Sequence, residues 1–118
     1  MIKDWPELVK SLSADIRNLR AGTPDVMKSF SAMAVSTGAN GALDSKTKEL
    51  IALAIGVAIR CDDCIAFHSK GAVQHGATRE EIMETLAIAI YMGAGPSVMY
   101  ASHALAAFNQ FSEQNGVE

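Results

Sequence analysis

Between Thr85 and Ser112 the chain carries no Asp, Glu, Lys or Arg, and so long a stretch without charge has to be hidden from water. By length alone it suits a helix that crosses a membrane. Gly93, Gly95 and Pro96 interrupt it, and Tyr91, Tyr100, Ser102, His103 and Asn109 add polar groups. It therefore reads as two buried helices, and no membrane span is expected. Together they hold more apolar surface than a small monomer hides with ease, which points to an interface between subunits.

Helical signals recur along the rest of the chain, and strand signals are nearly absent. Asp4 and Pro6 open a first helix that runs to about Arg20 and stops at Ala21 and Gly22. Thr23 is expected to cap a second, with Pro24 at its first position and an end near Thr37. Gly38, Asn40 and Gly41 make a loop. Asp44 or Ser45 starts a third, which is apolar at nearly every position from Leu50 to Ile59 and so is expected to be buried on most sides. After a break over residues 60–62, a fourth helix ends near Gly76. Thr78 and Glu81 form a capping box for a fifth, which stops at Gly93, Gly95 and Pro96. A sixth begins at Ser97, with a frayed tail after Phe111. The expected fold class is all-α: a single domain over residues 1–118, built as a bundle of five or six helices.

The remaining bulk properties narrow the function. Ten basic against thirteen acidic residues give a net charge of -3, with no basic stripe, so no nucleic-acid partner is expected. The first ten residues lack an apolar core and are charged throughout, unlike a secretory leader. A cytoplasmic location follows as the expectation, and thiols there are kept reduced. A C-x-x-C in such a chain serves catalysis or metal binding more often than it staples a fold.

The chain has two cysteines and three histidines, and both cysteines and one histidine fall in the run Cys61-x-x-Cys64-x-x-x-His68. On a helix these three positions span an arc of roughly 60°. One face thus carries two thiols and an imidazole, which is a redox constellation. Cys61 is expected in the first turn of the fourth helix, where backbone N–H groups favour a thiolate. Cβ atoms three residues apart on a helix are about 5–6 Å apart, slightly wide for a relaxed disulfide, although an adjustable first turn closes the gap. Asp62 and Asp63 suit the helix dipole but oppose thiolate formation.

Glu49 is the only charged residue between Lys48 and Arg60. In an antiparallel hairpin of the third and fourth helices it lies about 17 Å below the turn, and His68 about 10 Å. The levels differ by roughly one turn, so a direct bond is not assured and a water can bridge the two groups. Other readings stand beside this one. The cysteines are inert core residues, or Cys61, Cys64 and His68 hold zinc, or Glu49 pairs with Lys46 or Lys48 on the helix surface. One helix seldom supplies three tetrahedral ligands, and no metal is expected. His75 is placed at a helix end. His103, Tyr100 and Tyr91 are placed in the core or an interface, and the six methionines in core gaps.

The run Lys48-Glu49-Leu50-Ile51-Ala52-Leu53, the Cys61-x-x-Cys64-x-x-x-His68 motif and Gly76-Ala77-Thr78-x-Glu80-Glu81-Ile82 resemble the carboxymuconolactone decarboxylase-like family, in its alkyl hydroperoxidase D-like branch. The resemblance covers about residues 42 to 110. It implies an all-helical homo-oligomer, a trimer of two-repeat chains or a hexamer of single-repeat chains, and this chain has the length of one repeat. It also implies a thiol peroxidase or disulfide reductase whose two cysteines cycle between dithiol and disulfide, with a Glu and a His as proton relay. Those roles carry over to Cys61, Cys64, Glu49 and His68. Some members carry a His between the cysteines, where this chain has Asp63. The decarboxylases that name the family do not depend on a C-x-x-C, so its presence argues against lactone decarboxylation.

The resulting expectation is a thiol-dependent hydroperoxide reductase acting through Cys61, Cys64, His68 and Glu49, with no cofactor. Its partners are a hydroperoxide, a thiol or dithiol reductant, and further copies of itself. A disulfide reductase serving a peroxiredoxin-like protein is the alternative enzyme. A redox-sensing or structural oligomer is the non-enzymatic one.

Overall fold

A computed structural model describes residues 3–115. Its elements are α1 (Trp5–Gly22), α2 (Pro24–Gly38), α3 (Ser45–Ala58), α4 (Asp62–Gln74) and α5 (Arg79–Gln114), with no strand among the described residues. The two helices expected after residue 78 are joined in α5, which leaves helical geometry only at Ala94 (φ 55, ψ −138). Pro96 follows directly and lacks the N–H that would continue the ladder. Gly93 is needed at this break, because a Cβ there would stand 2.9 Å from Ser97 Cβ. Beyond it the helix continues past Phe111 to Gln114, with Phe111 and Ser112 buried rather than frayed.

Local chemistry sets most of the helix starts. The Asp4 carboxylate accepts from Glu7 N at 3.0 Å, and that of Asp44 from Thr47 N at 2.8 Å. Thr78 and Glu81 form the expected reciprocal box, Glu81 N donating to Thr78 Oγ1 and Thr78 N to Glu81 Oε1. Thr23 behaves otherwise. Its hydroxyl donates back to Leu19 O at 3.1 Å, so α2 starts without a side-chain cap. At the end of α4, Gly76 takes a left-handed turn (φ 79) just past the cap His75. Replacing Gly76 by Ala places a Cβ in that region at a cost of about 1 kcal/mol. The expected fall in melting temperature is about 4 °C, and a thermal melt equal to wild type would contradict it.

Trp5 and Val9 from α1 pack with Leu53 and Val57 from α3, Ile65, Ala66 and Ala72 from α4, and a row along α5 from Ile82 to Phe111. Small residues at Ala101, Ala104 and Ala107 let α5 lie close to its neighbours. α5 is long and apolar enough to cross a membrane by composition, yet its buried side chains face this core on both sides of the break.

The third helix is not buried on most sides. Ile51, Ile55 and Ile59 recur every four residues and stand 44%, 53% and 63% exposed, so one whole stripe of α3 is bare. With Ile88 of α5, Ile51 and Ile55 line an apolar groove of about 380 Å³. α2 buries none of its residues and presents Val26, Phe30, Met33 and Val35 to the outside. Four of the methionines do not fill core gaps: Met33, Met83, Met92 and Met99 are exposed.

Candidate active site

α3 and α4 meet through a turn that folds sharply back. Arg60 adopts φ 60 there, a left-handed conformation that side-chain-bearing residues avoid. Cys61 N then donates to Gly56 O at 2.9 Å, which pulls the start of α4 back along α3. Gly56 makes the approach possible: a Cβ at this position would lie 3.3 Å from Cys64 Cβ.

Cys61 is the N-cap of α4 rather than a residue of its first turn. Its backbone is extended (φ −110, ψ 94), and its sulfur accepts from Cys64 N at 3.2 Å. An extended cap residue is not bound to helical spacing. The two Cα atoms are 5.2 Å apart, and Cys61 and Cys64 are joined by a disulfide. The buried-inert reading of these cysteines does not fit their place at the partly exposed helix start. The N–H that points at Cys61 Sγ, together with the helix dipole, favours negative charge on that sulfur.

Glu49 and His68 touch directly. His68 Nδ1 is 2.9 Å from Glu49 Oε2, with no water between them. The expected offset is removed by Gly71, on the same face of α4 as His68. A Cβ at Gly71 would lie 2.6 Å from Glu49 Cδ and 3.1 Å from Oε1, so the carboxylate lies across the bare backbone and reaches the imidazole. Nor does Glu49 pair with a lysine of its own helix. Lys46 Nζ binds Glu81 at 2.8 Å, and Lys48 Nζ donates to Ala39 O at 2.6 Å. Because a carboxylate accepts, Nδ1 of His68 donates and Nε2 is left to take or give a proton. His68 follows Cys64 by four residues, one turn along the same face. The pair is part-buried, with side chains 37% and 25% exposed, so it is open to solvent yet partly shielded.

A second imidazole–carboxylate contact lies at the N-terminus of α4. His103 Nδ1 donates to Asp62 Oδ1 at 2.8 Å, and Lys3 Nζ binds the other oxygen, Oδ2. Partial burial resists ionisation of Asp62, but the hydrogen bonds from Lys3 and His103 outweigh it and hold its carboxyl below the ordinary 3.8. Folding stability from this contact is therefore complete above the ordinary aspartate value and is lost as the pH falls from there through the lowered value of the folded protein. Tyr100 packs on His103, ring centres 5.0 Å apart, whereas Tyr91 is 85% exposed and far from being core. His75 caps the exposed end of α4, as its place in the sequence suggested.

The structure thus joins Cys61 to Cys64 at the start of α4 and pairs Glu49 with His68 farther along the α3–α4 contact, His68 being one turn past Cys64 on the same helix. Gly56, Gly71 and His103 are the neighbours that the sequence reading left unused. A glycine inside a helical pattern, as at Gly71, is the available signal for close approach. Among the described residues no three His, Cys, Asp or Glu side chains converge to hold a metal ion.

Comparison with known proteins gives one consistent picture. The sequence model described as the carboxymuconolactone decarboxylase family matches residues 24–107. A crystal structure of an apo carboxymuconolactone decarboxylase family protein from Legionella pneumophila is 48% identical and superposes with a TM-score of 0.89, over 92% of this chain and 96% of that one. A Thermotoga maritima protein of the same family, described with a suggested part in an antioxidative response, is 32% identical with a TM-score of 0.81, over 95% and 97%. An uncharacterized protein of Cupriavidus necator is 40% identical over 92% of this chain and 96% of its own length.

Proposed function

The chain belongs to the carboxymuconolactone decarboxylase family, and from that premise we propose that it is a cytoplasmic thiol-dependent hydroperoxide reductase. The observation that carries the reading is the Cys61–Cys64 disulfide at a helix N-terminus, one turn from a carboxylate-bound imidazole. The antioxidative part suggested for the Thermotoga maritima relative agrees with it.

In the reduced enzyme His68 Nε2 takes the proton of Cys64. The thiolate attacks the terminal oxygen of a hydroperoxide, the O–O bond breaks, and the alkoxide leaves with the proton from His68. Cys64 is now a sulfenic acid. The Cys61 sulfur displaces its hydroxyl, which leaves as water, and the disulfide forms. One thiol of a dithiol donor then attacks the Cys64 sulfur, Cys61 departs as the thiolate that the Cys64 N–H favours, and the donor's second thiol displaces Cys64 from the mixed disulfide as the donor closes its own disulfide. Two electrons pass from donor to peroxide in each cycle. Glu49 acts through His68, holding Nδ1 so that Nε2 faces the chemistry.

The test is peroxide turnover by the purified protein with and without a dithiol donor. Turnover that requires the donor and saturates with peroxide is expected. No turnover with any alkyl or hydrogen peroxide would refute the peroxidase. Asp63, exposed between the cysteines where some hydroperoxidases carry His, favours the second reading, a disulfide reductase for a peroxiredoxin-like partner. That enzyme would reduce a mixed disulfide quickly and peroxide slowly.

The proposed working form is a homo-oligomer, a hexamer by the length of the repeat. Its support is the uncovered Ile51–Ile55–Ile59 stripe and an α2 with no buried residue. Sedimentation at micromolar concentration should show a stable oligomer, and a stable monomer would contradict it. Replacing Ile55 by Glu should shift the protein toward smaller species, because it sets a charge into that interface.

A further inference from the structure

Beside the cysteines lies a charged cluster that the peroxide cycle leaves unused. Asp62 is the first residue of α4 and sits between the two cysteines in sequence. Its carboxylate is held by groups from two other parts of the chain. His103 reaches Oδ1 from the C-terminal part of α5, and Lys3 reaches Oδ2 from the segment ahead of α1. That segment is itself fastened: Gln110 Nε2 donates to Lys3 O at 2.9 Å, and Trp5 N donates to Gln110 Oε1 at 2.8 Å. The Lys3 ammonium also lies 5.5 Å from the centre of the Trp5 ring. Lys3 and His103 are thus positioned, rather than adrift at the surface.

A carboxylate next to a thiolate raises the thiolate's energy, and a cation or donor bound to that carboxylate lowers it again. Only the reduced pair carries a thiolate, so the field around Asp62 acts on one redox form and not on the other. We propose that Lys3 and His103 form an electrostatic clamp on Asp62 that sets the balance between dithiol and disulfide at Cys61 and Cys64. Asp62 pulls the balance toward the disulfide, and its two partners pull it back toward the dithiol. This rests on the redox reading of the cysteine pair, and Asp62, Lys3 and His103 act as positioning residues.

The signature is one of opposite signs. The whole protein is equilibrated with dithiothreitol and its cyclic disulfide at pH 9, above the ordinary thiol range, so that the reduced pair carries a thiolate. In the exchange dithiothreitol gives two electrons to the protein sulfurs and closes its own ring, while one protein sulfur keeps a negative charge and its proton passes to solvent. Asp62→Asn, which keeps the shape, should move the equilibrium toward dithiol by about two- to fivefold, the range of a partly exposed ion pair. Lys3→Gln and His103→Leu should move it toward disulfide by a similar factor, and His103→Gln, which still donates, should restore it. Lys3→Gln made in the Asp62→Asn protein should add nothing, because its target is gone.

Shifts in one direction for Asp62→Asn and Lys3→Gln would mean a structural pin and overturn the clamp. So would a full Lys3→Gln effect in the Asp62→Asn background, or no shift in any variant. A wild-type pair that never re-forms its disulfide would overturn the redox reading itself, and the clamp with it.

Discussion

Cys64→Ser is expected to abolish peroxide reduction while the helical fold survives. The hydroxyl is not a nucleophile toward an O–O bond, and no other thiol lies one turn from His68. Cys61 and Cys64 are only partly buried, so losing either sulfur opens no core cavity. The disulfide closes a loop of few residues, for which chain entropy contributes little. Cys61→Ser gives the informative contrast. It should still consume one hydroperoxide and then stop as a sulfenic acid on Cys64, which dimedone traps. Dimedone on Cys61 in Cys64→Ser, with Cys64 unlabelled in Cys61→Ser, would exchange the two roles. Unlabelled variants whose thiols survive excess peroxide would end the peroxidase reading.

The second large effect is on the relay. His68→Ala should slow peroxide turnover by about 10²–10⁴-fold, the usual worth of general acid–base help, at little cost to the fold. Glu49→Gln should slow it less, since an amide still meets the imidazole but orients it poorly. Gly71→Ala should also slow turnover, although residue 71 touches neither sulfur. Its new Cβ would occupy the place of the Glu49 carboxylate and force it off His68. Shortening the side chain with Glu49→Asp in the Gly71→Ala protein should recover part of the rate. A purely structural defect would not be relieved in this way. Full activity in Gly71→Ala would show that the direct Glu49–His68 contact is dispensable.

The sequence was most legible where the signal is local. The caps at Asp4, Asp44 and Thr78 each need a partner only three residues away, and each forms as expected. The break near Pro96 is likewise a property of a few adjacent residues. Thr23 is the N-cap of α2 with Pro24 next to it, as expected, but a threonine at a helix junction has two bonding choices, and here the carbonyl of Leu19 takes the hydroxyl. What depends on how two helices meet was harder to read. Counting residues from a symmetric turn put Glu49 and His68 at different levels. The turn is asymmetric, since Cys61 bonds back to Gly56, and Gly71 opens room for the carboxylate. Asp62 and His103 are forty-one positions apart in the chain, beyond the reach of any periodicity. The bare stripe of α3 and the exposed methionines show a further limit. Apolar residues mark surface to be covered, but periodicity alone does not tell whether this chain or another copy covers it.

The proposed activity requires Cys61 and Cys64 to be a reversible redox pair, and a single turnover tests that most directly. The fully reduced protein is given one equivalent of a hydroperoxide, alkylated, and analysed by peptide mass spectrometry without reductant. The predicted product is one linked Cys61–Cys64 peptide that has lost two hydrogens, takes up no alkylating agent, and returns to two alkylatable thiols after a dithiol is added. Two thiols that remain alkylatable after the peroxide, or a single cysteine driven to sulfinic acid without a disulfide, would contradict it.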